Sequence, residues 1–173
     1  MPVAFTCAVA AESPALLKPL KSGARFVVSA DAKTVQDTQT TLTWQRSQSP
    51  DGVTWKGAYD YCAALRLAGH KGGWRLPFLK ELQSLVVEAE KPSLMCIDLE
   101  AFPHTRPEFY WTASANDTQV ATVFFDMKSF PSGLGPDKTL GNVRCVSGKL
   151  RPEYQAPETA KYNLYTVDQL VAH

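Results

Sequence analysis

The sequence predicts an α+β domain, and three observations carry that expectation. Extended and helical segments are segregated rather than alternating: strands first, then two helices, a long loop, and three more strands. Helical spacing of apolar residues marks two helices within residues 54–90. The segments after residue 108 are short, rich in β-branched and aromatic residues, and separated by turn-formers. An apolar content of 45% over 173 residues suits one core with an arm at each end.

In chain order, residues 1–23 read as an N-terminal arm or linker. "MPVAFTCAVAA" has a short apolar run and an AVAA stretch but no basic lead-in, so it is either the remnant of a trimmed leader or the first segment of the mature chain. Pro14 and Pro19 punctuate the rest of the arm. "ARFVVSA" and "TLTWQR" are extended stretches, with Asp31-Ala32-Lys33 as a turn between them. Thr54 is a helix N-cap, because Trp55, Ala58, Cys62 and Leu65 then fall on one helical face and Gly69 supplies the stop. The second helix is expected from Pro77, at its first position, to about Glu90. Its apolar stripe is Leu79, Leu82, Leu85, Val86 and Ala89, with Lys80, Glu81, Gln83 and Glu88 facing water. Residues 91–108 hold Pro92, Pro103 and Pro107 and no sustained period, so they form a loop pinned by Ile97, Leu99 and Phe102. Strands are expected at 109–114, 120–127 and 142–147, with Asn116-Asp117 turning between the first two. There is no internal repeat and no low-complexity block.

The net charge of +1 argues against a dedicated nucleic-acid binder, and no run of 18 apolar residues is present to span a membrane. Cys7, Cys62, Cys96 and Cys145 include no C-x-x-C pair and have no histidine at zinc-ligand spacing, which argues against zinc. Their even number and wide spacing favour disulfides in an oxidising compartment; four buried thiols in a cytosolic protein are the alternative.

Six stretches occur in register: "LTWQR", "TWKGAYDYCAAL", "GGWRLPFLKELQSL", "IDLEAFPHT", "FYWTAS" and "VRCV". Together they resemble the C-terminal domain of the Legionella collagen-like adhesin, in the domain of unknown function 1566 family. The resemblance covers residues 24–148 and implies a C-type lectin-like fold, related to formylglycine-generating enzymes: two helices packed on a twisted, mainly antiparallel sheet with long loops. It also implies an exported protein, at the cell surface, outside the cell or in the periplasm. The adhesin member is implicated in binding sulfated glycans. The family pattern pairs a cysteine of the first helix with one on the last strand, which maps onto Cys62 and Cys145. Cys7 and Cys96 lie outside that pattern and are expected to pair with each other. In the shared "GGWRLP" motif, Trp74, Arg75 and Pro77 are read as structural. Trp74 is expected between the two helices, with Arg75 on loop carbonyls or a carboxylate such as Asp98 or Asp126. Trp44, Trp55 and Trp111 are read as core.

No catalytic set emerges. His70, His104 and His173 form no recognisable triad, and Glu88 and Glu90, two apart on a helix, point to different sides. The cysteines that formylglycine-type chemistry needs are expected to be consumed in the bridge. The lectin triplets for calcium and sugar are absent, and Asp137 with Asn142 falls far short of the about six to eight oxygens calcium takes. The reading is therefore no enzyme, no metal and no cofactor. What remains is a ligand face on residues 100–108 and 128–142, where His104, Arg106, Lys128, Phe130 and Lys138 could hold an anionic glycan or an acidic protein patch. The tail, residues 149–173, exceeds the family pattern. Tyr162, Leu164, Tyr165 and Leu170 give it an apolar side that either folds back on its own domain or docks on a neighbour. The leading reading is an exported, non-catalytic binding domain for recognition or adhesion, with a glycan or protein ligand. The alternative is a structural subunit of an extracellular filament or oligomer, joined through its terminal arms.

Overall fold

A computed structural model describes residues 25–67, 73–87, 95–125, 133–135, 139–149 and 163–164. Cys7, Asp126, Lys128, Phe130, Asp137, Lys138, Tyr162, Tyr165 and Leu170 lie outside the described residues, as does the arm at 1–23. The architecture is α+β with antiparallel pairing, in two sheets rather than one. The strands are β1 Phe26–Val28, β2 Thr34–Asp37, β3 Thr43–Gln45, β4 Trp74–Arg75, β5 Phe109–Ala115, β6 Val120–Phe124, β7 Gly133–Leu134, β8 Val146–Ser147 and β9 Asn163–Leu164. The helices are α1 Trp55–Ala64 and α2 Leu79–Gln83. One sheet runs β1-β2-β3-β8-β4 and the other β7-β6-β5-β9.

The first sheet opens with a hairpin turning at residues 29–33, where Ala32 sits at φ 56° and Ser29 N–H donates to Thr34 O over 2.9 Å. The next segment, "TVQD", is a strand the sequence pattern does not separate from its neighbours. It pairs on both sides, Val35 opposite Val28 and opposite Trp44. A buried ion pair fixes the hairpin: Arg25 donates to both oxygens of Asp37 at 2.9 and 2.6 Å, and to Ser84 O at 2.7 Å, at the end of α2.

Helix α1 forms from its local sequence. Thr54 accepts the Gly57 N–H on its hydroxyl at 3.2 Å, and Trp55, Ala58 and Cys62 are buried on one face. Cys62 is bonded to Cys145, 83 residues away, which ties α1 to the chain entering β8. Cys96 is also disulfide-bonded and almost fully buried.

Helix α2 departs from expectation at both ends. Phe78, with φ −70° and ψ 160°, is the N-cap, so Pro77 lies outside the helix and its carbonyl instead accepts the Ala113 N–H of β5 at 2.7 Å. After Gln83 the bonds tighten to i→i−3, and Val87 N–H turns away to Cys96 O, which stops the helix short of Glu90. Glu81 is buried rather than water-facing: it accepts Arg75 at 2.7 and 2.6 Å and the Phe78 N–H at 2.8 Å. Arg75 also donates to Gly148 O at 2.9 Å. Arg75 therefore bolts the start of α2 to the end of β8. Its carboxylate is Glu81, not Asp98, which instead accepts the N–H groups of Glu100 and Ala101.

Strand β5 is buried on both faces, as its run of apolar and small residues requires. Tyr110 joins Phe26, Trp44, Leu82, Leu85 and Phe102 in one core; Trp111, Ala113 and Ala115 join Trp55, Ala58, Cys62 and Cys145 in the other. Trp74 belongs to that second core, with α1, whereas the leucines of α2 belong to the first, so it does not sit between the helices. All four tryptophans are buried. Two of them stitch segments together: Trp55 Nε1 donates to Thr112 O at 2.9 Å and Trp111 Nε1 to Val53 O at 2.8 Å.

The expected strand at 142–147 is regular only at its end. Its first half is bonded irregularly, with Ser49 N–H to Val143 O at 2.8 Å and Cys145 N–H to Gln45 Oε1 at 3.1 Å. The Phe109 ring lies against the backbone at Gly141, where a Cβ would stand 2.1 Å from Phe109 Cε2. Gly141→Ala is expected to push the ring off its edge contact with Trp111 and to cost about 1–3 kcal/mol, read as a lowered midpoint in chemical denaturation. A variant as stable as the wild type would contradict this packing.

Candidate functional site

The loop from Ile97 to Glu108 is a folded object. Asp98 caps its first turn, Phe102 N–H donates to Asp98 O at 2.8 Å, and the buried Phe102 ring meets Phe26 edge-on at 5.2 Å. Thr105 donates its hydroxyl to Phe102 O at 2.8 Å. Arg106 N–H donates to the Tyr110 hydroxyl at 3.0 Å. Between these anchors His104 is exposed in a left-handed conformation, φ 61°, and its carbonyl accepts Gln48 Nε2 at 2.8 Å.

Three arginines converge on this loop. Arg46, from the end of β3, donates to Ala101 O at 3.1 Å and Glu100 O at 3.2 Å. Arg106 donates to Asn142 Oδ1 at 3.2 Å and Pro50 O at 2.9 Å. Arg144 lies beneath, fully buried, and donates to Gln45 O at 3.0 Å, to Arg46 O and to Thr105 Oγ1 at 3.0 Å, with its guanidinium 4.8 Å from the Phe102 ring centre. Burial pushes the Arg144 guanidinium down to about 10, with Tyr110 acting in the opposite direction, so it stays charged at neutral pH. Burial likewise raises the Tyr110 phenol, against the pull of Arg144.

These charges are held by carbonyls, a hydroxyl, an amide and aromatic rings. The ion pairs among the described residues are Arg25–Asp37 and Arg75–Glu81, and neither involves the three. A carboxylate comes close through Asn142, whose Nδ2 donates to Glu108 Oε2 at 2.9 Å. The loop itself carries Asp98, Glu100 and Glu108, so the three guanidiniums and three carboxylates share this region without forming an ion pair among the described residues.

Of the ligand-face residues expected from sequence, His104 and Arg106 fall on this loop, while Lys128, Phe130 and Lys138 lie outside the described residues. Sequence reasoning misses Arg46 and Arg144. Arg144 carries a signal, a charge inside the apolar run "VRCV". Arg46 carries none, because only the tertiary fold brings it to Glu100 and Ala101. Asn142, weighed as a calcium ligand, is buried and bonded to Arg106, Glu108 and Phe109. Among the described residues no group of three His, Cys, Asp or Glu is placed to hold a metal ion. The Cys62–Cys145 bond leaves no thiol there for cysteine chemistry.

Tail residue Leu164 lies on the chain's own fold, since Asn163–Leu164 pair with Ala115 and Ser114 of β5. No helix among the described residues is long and apolar enough to cross a membrane. The family model of the Lcl C-terminal domain matches residues 33–147, about two thirds of the chain. No curated protein and no solved structure matches it.

Proposed function

Since the chain belongs to the Lcl C-terminal domain family, that of a collagen-like adhesin, we propose that it is an exported, non-catalytic recognition domain with a C-type lectin-like fold. Its ligand face is the loop at 97–108 together with residues 139–142, and its ligand is anionic, a charged glycan before an acidic protein patch. The observation that carries this reading is the convergence of Arg46, Arg106 and Arg144 on one ordered loop without an ion pair among the described residues. Guanidinium N–H groups offer charge-assisted hydrogen bonds to an anion, and a preformed loop binds with little loss of entropy. Arg46 and Arg106 are half-buried, so part of each guanidinium faces solvent, while Arg144 adds charge from below. The disulfides support export, because they persist in oxidising compartments.

Retention on immobilised heparin at about 150 mM salt tests this reading. The wild-type chain is expected to be retained, and Arg106→Ala to elute at lower salt, with affinity weaker by about tenfold, the worth of one charge-assisted hydrogen bond. A net charge of +1 makes bulk ion exchange a poor explanation of retention. A wild-type chain that passes through unretained sinks the anionic-glycan reading.

A further inference from the structure

The outer edge of β5, away from β6, is closed by three different partners along its length. Trp111 N–H donates to Asn142 O at 3.0 Å, and Asn142 N–H donates to Phe109 O at 3.1 Å. Further along, Ala113 N–H donates to Pro77 O at 2.7 Å. Ser114 and Ala115, at the end, pair antiparallel with Leu164 and Asn163. The first two closures come from the body of the domain. The last comes from a strand on the far side of residues 149–162.

The tail's point of departure is fixed. Gly148 turns the chain at φ +98°, and its carbonyl is held by Arg75, itself paired with Glu81. Beyond that point the attachment seen among the described residues is a two-residue ladder, which contributes little on its own. Residues 149–162 separate that point from the strand, and a chain of that length spans at most about 46–50 Å, enough to serve the chain's own β5 or that of a close neighbour. The ladder is made by backbone groups and is the same whichever copy supplies the strand.

We propose that the β5 edge at Ser114–Ala115 is a self-assembly slot. In the isolated chain it holds residues 163–164 of its own tail; where copies are held close together it takes the same residues of a second copy. The exchange is independent of what the loop face binds. It sets in when neighbours approach the effective concentration that the chain's own tail has at the slot, a condition met by tethering on a surface.

The test mixes two full-length single variants, Ala115→Cys and Asn163→Cys, and oxidises them at about millimolar chain concentration. Directly opposed residues of an antiparallel pair have Cα atoms about 4.5–5.5 Å apart, within disulfide range. Ala115 is preferred to Ser114, whose hydroxyl accepts the Leu79 N–H at 3.0 Å. A bond between positions 115 and 163 in this mixture is intermolecular by construction. The expected result is a heterodimer carrying that bond, absent from either variant alone and diminishing on dilution. The chain with both substitutions is expected to close on itself when dilute. If the double variant closes but the mixture forms no 115–163 bond, the tail is a strap within one chain and the proposal fails. It fails equally if neither forms the bond, because the slot then does not hold this strand.

Discussion

Replacing Cys62 and Cys145 together with alanine is expected to cost about 4–5 kcal/mol of folding stability. The bond closes a separation of 83 residues, so its loss releases a large loop in the unfolded chain. Both sulfurs are buried in the core shared by α1, β4 and β5, so a small packing deficit adds to the entropy. Against a net stability of about 5–15 kcal/mol for a domain of this kind, the loss is a large share. Urea denaturation of the oxidised wild type and of the double variant measures it. The variant is expected to show a much lower midpoint, and wild-type protein made under reducing conditions, which lacks the Cys96 bond as well, a midpoint at least as low. A loss below about 1 kcal/mol would mean that the noncovalent contacts of α1 already hold the closing strand, and the bond would cease to support an exported scaffold.

The Asp37→Ala variant is expected to lose about 3–5 kcal/mol. Asp37 is fully buried and Arg25 nearly so. Removing the carboxylate leaves a guanidinium in the interior with Ser84 O and the face of Phe26 as its remaining partners. Asp37 also accepts the Gln39 N–H at 3.0 Å, so the turn into β3 loosens with it. Arg25→Met combined with Asp37→Leu is expected to recover most of the loss, since a buried pair replaced by apolar groups leaves no stranded charge. Urea denaturation of Asp37→Ala, Asp37→Leu, Arg25→Met and the double variant checks both expectations. Equal losses in the single and double variants would assign the cost to the turn and not to the ion pair. The pair lies outside the loop face, so heparin retention of the folded double variant is expected to match the wild type.

How much of the fold is legible in the sequence depends on how local each decision is. Helix α1 is legible because Thr54, Trp55, Ala58 and Cys62 carry the cap and the buried face within nine residues. Strand β2 is not, because "TVQD" has no pattern of its own and is extended only because β1 and β3 flank it. The end of α2 is misplaced from sequence because it is set by Val87 pairing with Cys96, which in turn bonds Phe125 O. Glu81 looks like a surface residue because it falls on the polar side of the α2 stripe, and the strand-to-helix turn that swings Arg75, six residues earlier, onto it is not written in that spacing.

The candidate site divides in the same way. His104 and Arg106 can be picked out as a polar pair in a loop rich in prolines. Arg46 and Arg144 reach that loop across 55 and 39 residues of chain, and no spacing rule reports a guanidinium bonding a distant carbonyl or hydroxyl. By itself the sequence determined the α+β class, the first helix, the family and the cysteines available to bridge it, because those rest on neighbouring residues and on motif order. The tertiary structure alone decided that there are two sheets, that β5 is buried on both faces, that three arginine charges share one loop, and that the tail returns to β5. The physical reason is that burial, charge neutralisation and strand pairing belong to pairs of distant residues, and each is fixed only when both partners are in place.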